Sequence, residues 1–254
     1  MLDASNSPPP VHNRLLSVLP ADELAVLEPY LELHSLARGV LLAQAGDPLN
    51  RCYFPNNGMI SLLSVTEQGH AVEVGYVGHE GMVGLPVLLG QNEMPCQALV
   101  QASTEVLSVD ARYVRELFAK RGLFHDMALR YTSVHIKQIA QTCVCNHFHT
   151  IEARLCRWLT VMCERSSQKH LVLTQEFLSH MLGVQRTSIG LIANGLQKKG
   201  IIRYSRGKVE ILDEDRLRRS ACECYFIVRD EYEKFLNENK FSAMSDSRQT
   251  QRIF

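Results

Sequence analysis

LTQEFLSHMLGVQRTSIGLIANGLQKKGIIRYSRGKVEILD, residues 173–213, decides the fold. The Thr174 hydroxyl suits an N-cap, and Phe177, Leu178, Met181 and Leu182 follow on one apolar face. Gly183 supplies the left-handed residue that ends a helix. Val184, Ile189, Ile192, Ala193 and Leu196 then resume helical spacing, which Gly200 closes. Ile201, Ile202 and Tyr204 lead into the turn signal Ser205-Arg206-Gly207-Lys208 and on to Val209, Ile211 and Leu212. Two short helices around a tight turn, followed by a basic two-stranded ribbon, are the layout of a winged helix-turn-helix. Its second helix enters the DNA major groove.

Charge supports that reading. From Thr174 to Lys208 the basic residues are Arg186, Lys198, Lys199, Arg203, Arg206 and Lys208, and Glu176 is the sole acid. Cations of this kind displace counterions from the phosphate backbone. Across the chain, 27 basic and 27 acidic residues cancel. The halves differ, however: residues 1–120 carry 6 basic and 13 acidic side chains, an acidic half before a basic one.

Working outward, Leu15–Tyr30 reads as helix, with Pro20-Ala21-Asp22-Glu23 interrupting it or starting its main part, and the segment from Leu31 to about Val109 as short strands between glycine turns. MISLLSV (Met59–Val65) and AVEVGYV (Ala71–Val77) are the clearest of these strands. Asp110–Lys120 reads as a short helix, Gly122–His149 as one long helix, and Ile151–Cys163 as another. Glu164–His170 reads as a loop and Asp213–Phe235 as a last helix. On the long helix, Phe124, Met127, Ala128, Tyr131, Val134, Ile136 and Ile139 form an apolar stripe suited to a second copy. The class is α+β. The expected divisions are a flexible tail (1–13), a β-roll (14–120), a dimerisation helix and hinge (121–149), a winged helix-turn-helix domain (150–214) and a C-terminal helix and tail (215–254).

This order resembles the Crp/Fnr family of bacterial transcription regulators over residues 15–215. TQEFLSHMLGVQRTSIGLIANGLQKKGII and IEARLCRWL carry the resemblance most strongly, and VGHEGMVGLPVLLG more weakly. It implies a cyclic-nucleotide-binding-like sensory roll and a homodimer on two-fold symmetric double-stranded DNA. It also implies RNA polymerase as a partner and a small-molecule or redox effector. Arg186 matches the family's guanine-contacting arginine, with Gln185 and Thr187 beside it as base contacts. Thr187 stands where a glutamate is common, and Leu191 replaces a second base-reading arginine. Thr174 and Ser188 match phosphate positions, and Lys198, Lys199, Arg206 and Lys208 join them as expected phosphate contacts.

By the same resemblance the effector pocket falls at Glu80, Gly81 and Gly84. The family's cAMP binders add an arginine for the phosphate. Here no Arg or Lys lies between Cys52 and Ala111, which argues against cAMP. The segment CVCNHFH sets Cys143 with His147, and Cys145 with His149, at i,i+4. End-of-helix packing is favoured over metal ligation here, and Cys222-x-Cys224 reads as thiols on different helix faces, so no metal and no cofactor is assigned. No Walker loop, HExxH or Gly-x-Ser-x-Gly points to an enzyme. No run of 18 apolar residues points to the membrane, so a cytoplasmic location is expected. An alternative remains open, in which the basic wing meets RNA or protein rather than DNA.

Overall fold

The computed structural model describes residues 9–166 and 168–249, with side chains to residue 237. Most of the expected tail (1–8) lies outside the described residues. The part that is described is anchored. Asn13 is fully buried and donates its side-chain N–H groups to the carbonyls of Pro55 and Gly81 at 2.9 and 2.8 Å.

Helix α1 (Ala21–Leu27) precedes seven strands: β1 (Glu32–Leu36), β2 (Leu41–Ala43), β3 (Arg51–Pro55), β4 (Met59–Val65), β5 (Ala71–Val77), β6 (Gln97–Ala102) and β7 (Thr104–Asp110). Pro20 sits at the N-cap of α1, so of the two readings of this segment the helix starts at Pro20-Ala21 rather than running from Leu15. The strands form two antiparallel sheets, β1-β7-β3 and β2-β6-β4-β5. Met59–Leu63 are all buried, without alternation. The reason is that β4 has the roll interior on one face and the later helix α4 on the other. Helices α2 (Ala111–Ala119), α3 (Leu123–Phe148) and α4 (Ile151–Ser166) follow. Glu23 reaches from α1 to cap α3, its carboxylate accepting from Leu123 and Phe124 N–H at 2.7 and 2.8 Å. Gln138 of α3 accepts the Tyr76 N–H at 3.0 Å, which covers the open edge of β5.

The C-terminal half holds β8 (His170–Val172), α5 (Gln175–Leu182), α6 (Arg186–Lys198), β9 (Ile202–Ser205), β10 (Lys208–Ile211), α7 (Glu214–Ser220) and α8 (Cys224–Gln249). Three expectations change. The ribbon is a three-stranded sheet, β8-β10-β9, because the three-residue β8 is too short to read as a strand from sequence. The single last helix is two, broken at Ala221–Glu223. The third change concerns α3. Phe124, Met127, Ala128 and Tyr131 are buried inside their own chain. Helix α8 lies along that face, with Tyr232 and Phe235 ring centroids 6.5 and 6.2 Å from Tyr131. Ile136 of the expected stripe stays exposed, and among the other exposed residues of α3 Leu129, Ser133, Ala140, Cys143 and His147 line up with it.

Candidate DNA interface and sensory pocket

Helix α5 starts where Thr174 Oγ accepts the Phe177 N–H at 3.1 Å, a cap worth about 1 kcal/mol. It ends at Gly183, φ 61°, the left-handed residue that turns the chain into α6. Ile189, Ala193 and Leu196 bury one face of α6. That burial orients its N-terminus outward: Gln185 is the N-cap, and Gln185, Arg186 and Thr187 are exposed while Ser188 is half-buried. The wing turns at Arg206 and Gly207, both with positive φ (49° and 75°), a two-residue hairpin whose twist suits paired strands. Arg206 is one of two non-glycine residues with positive φ among those described.

Tertiary folding brings Thr174, Arg186, Arg206 and Gly207 around one shallow depression between the start of α5, the start of α6 and the wing. Lys208 stands beside it, exposed at the start of β10. Two other expected phosphate contacts are placed less directly. Lys199 is ion-paired with Glu152 of α4. Lys198 lies at the far end of α6, about 18 Å along the axis from Arg186. Leu191, 75% exposed, projects from α6.

The sensory pocket departs further from expectation. Glu80 is almost fully buried, and its carboxylate is held by the guanidinium of Arg165, which comes from α4 of the other half. Burial pushes the Glu80 carboxyl up, but Arg165 more than reverses this and leaves it below its ordinary value. A Cβ at Gly81 would overlap the Tyr131 ring and hydroxyl, so the long helix closes over this glycine. Gly84, φ 102°, is instead the cap of the 3-10 turn Leu85–Leu89, next to Cys52. A second buried carboxylate, Glu73, accepts from the Ser61 hydroxyl and from Trp158 Nε1 at 3.2 Å, and Trp158 again belongs to α4. Burial holds Glu73 above its ordinary value, partly offset by Ser61 and Arg157. Both buried carboxylates of the roll are therefore engaged by side chains of α4, long-range pairings with no local sequence signal.

Of the residues at the end of α3, Cys143 and His147 are exposed, Cys145 is buried and His149 is half-buried. The expectation that the Cys222 and Cys224 thiols diverge is corrected. Helix α8 begins only at Cys224 and Cys222 lies in the turn before it, so both thiols point at Cys145 and His149.

Residues 33–121 match the cyclic nucleotide-binding domain family and residues 153–220 the Crp-like helix-turn-helix domain family. Among curated proteins no significant relative is found. Solved structures share the fold at low identity. One, described as a Crp/Fnr-family transcriptional regulator from Eubacterium rectale, is 15% identical, with 81% of this chain and 96% of that one covered at a TM-score of 0.67. FixK2 of Bradyrhizobium japonicum is 13% identical, with 76% and 98% covered and a TM-score of 0.63. The c-di-GMP-responsive global regulator CLP of Xanthomonas campestris is 16% identical, with 76% and 99% covered and a TM-score of 0.61. The chain is a transcription regulator with a DNA-binding helix-turn-helix and a cyclic-nucleotide-binding-like domain, and it belongs to the Crp/Fnr family. Among the described residues no helix is long and apolar enough to cross a membrane.

Proposed function

We propose that the protein acts in the cytoplasm as a homodimer that binds a two-fold symmetric operator, with Arg186 reading guanine and Thr174, Ser188, Arg206 and Lys208 holding phosphates. The observation that carries this reading is the convergence of Arg186, Thr174 and Arg206 on one depression beside the exposed N-terminus of α6. A guanidinium there pairs bidentately with guanine O6 and N7. Leu191 sits one turn on, and its exposed side chain suits a thymine methyl. Dimerisation is supported by the open seam on α3. Leu129, Ser133, Ile136, Ala140, Cys143 and His147 are spaced 4-3-4-3-4, the heptad pattern of a two-stranded coiled coil.

The effector of this reading is not cAMP, since Arg165 already engages Glu80 and Tyr131 fills the space above Gly81. A different small molecule or redox signal shifts the two halves about Thr150, and RNA polymerase receives the output. Selection of DNA sites from a random pool, followed by footprinting, tests the reading. A symmetric footprint with half-sites about one helical turn apart is expected. Equal retention of all sequences, or a preference for RNA, would overturn it. Added cAMP is expected to leave both the melting temperature and the footprint unchanged.

A further inference from the structure

Four potential metal ligands meet at the joint between the sensory and DNA-binding halves. Cys145 and His149 stand one helical turn apart where α3 ends, Cys222 lies between α7 and α8, and Cys224 opens α8. Cys145 Sγ is 3.5 Å from Cys222 Sγ, and Cys224 Sγ is 3.4 Å from His149 Nδ1. All four donor atoms lie within 4.8 Å of one another, the one such group of His, Cys, Asp and Glu among the described residues. We propose that Cys145, His149, Cys222 and Cys224 form a mononuclear zinc site of the Cys3His type.

Spacing selects the metal. Ligands at about 2.3 Å (sulfur) and 2.0 Å (nitrogen) from one tetrahedral ion lie roughly 3.3–3.8 Å from each other. The observed donors need only a small inward movement to reach that. An iron–sulfur cubane would hold its cysteines further apart, because the whole inorganic core lies between them. Thiolates and imidazole are the donors that zinc prefers, and all eight cysteines of the chain are free.

The surroundings are those of a ligand set. His149 presents Nδ1 to the thiols, while its Nε2 lies 3.0 Å from the Glu223 carboxylate, which fixes the tautomer a metal needs. Gln141 Nε2 donates to Cys224 Sγ at 3.1 Å. Arg157, buried on α4, faces Cys145 and Cys222 and carries the positive charge that balances three thiolates around a divalent ion. The three thiols also form a small cluster apart from the main apolar core, with Ala153, among the described residues, as the one partly buried apolar residue packed on it. Zinc binding releases the thiol protons to solvent and ties the end of α3 to the start of α8, beside the Thr150 hinge.

The test is metal analysis of the full chain purified under reducing conditions. One zinc per chain is expected, and cobalt substitution is expected to give the visible bands of tetrahedral thiolate coordination. The paired substitution Cys222→Ser and Cys224→Ser is expected to abolish both, while Cys143→Ser, outside the site, leaves them intact. To separate ligation from folding, Glu223→Gln is expected to keep the fold by circular dichroism and weaken zinc about 10–100-fold in chelator competition. His149→Cys retains four ligands and is expected to keep the metal. Undiminished zinc in the Cys222→Ser, Cys224→Ser variant would overturn the proposal, as would a brown iron–sulfur spectrum or a well-folded chain that takes up no Zn2+ in titration.

Discussion

Arg186 and Arg206 border the same depression but differ in what their loss removes. Arg186→Ala is expected to reduce discrimination at one base pair by about 1–3 kcal/mol, measured as the affinity ratio of operator to substituted operator. Arg206 sits at φ 49°, a strained position for a side chain, so Arg206→Gly is expected to lower the salt slope of binding by about 1 without lowering thermal stability. A salt slope equal to wild type would remove Arg206 from the interface. His135 belongs to this scale too. It is buried beside Glu80 and the Tyr131 ring, and burial pulls it from 6.5 down to about 4. The unfolded chain takes up this proton near 6.5 and the folded chain only near 4. Stability is therefore lost as pH falls through that window. His135→Asn is expected to flatten the fall in denaturant midpoint between those pH values. The Thr174 cap and the helix start at Arg186 were legible in sequence because capping and helix-start positions are local. The burial of His135 was not, since it packs against Gly75 of β5, distant along the chain.

Among the elements, α3 carries the clearest consequence. Its open seam places Cys143 at a heptad position, where two copies in a parallel pair bring equivalent Cα atoms within disulfide reach. Mild oxidation is expected to yield a covalent dimer on non-reducing gels that Cys143→Ser abolishes, and Ile136→Glu is expected to give monomers by light scattering. A monomeric wild type would sink the coiled-coil reading. Sequence periodicity located this helix almost to the residue, yet assigned its buried face to a partner. Both faces of α3 are apolar enough to pack, and only the course of α8 shows which one the chain itself covers. The break between α7 and α8 was unreadable for a related reason. Ala221–Glu223 contains no Gly or Pro, and the turn is held by tertiary contacts of Cys222.

For the whole molecule, the two halves are locked through α4. Arg165 holds Glu80 and Trp158 holds Glu73, while Gln101 of the roll donates to Met181 of α5 at 3.1 Å. Removing one partner of a buried ion pair leaves the other charge uncompensated, at a cost of about 3–5 kcal/mol. Arg165→Gln is expected to lower stability on that scale in urea denaturation, and the double variant Glu80→Gln, Arg165→Gln is expected to recover part of it. A loss in the double variant equal to the sum of the Glu80→Gln and Arg165→Gln losses would mean that the pair is not coupled. Because the pair spans the domain boundary, Glu80→Gln is also expected to change DNA affinity without touching the interface. The sequence by itself determined the order of roll, long helix and winged helix-turn-helix, as well as the polar helix start at Arg186. These follow from local periodicity, capping and turn chemistry. Tertiary structure alone decided that Arg165 engages the roll's buried Glu80, that α8 covers one face of α3, and that the donor atoms of Cys145, His149, Cys222 and Cys224 lie within 4.8 Å of one another. Such pairings join residues as far apart as Tyr131 and Phe235, and no local pattern encodes which distant groups the packed core will bring together.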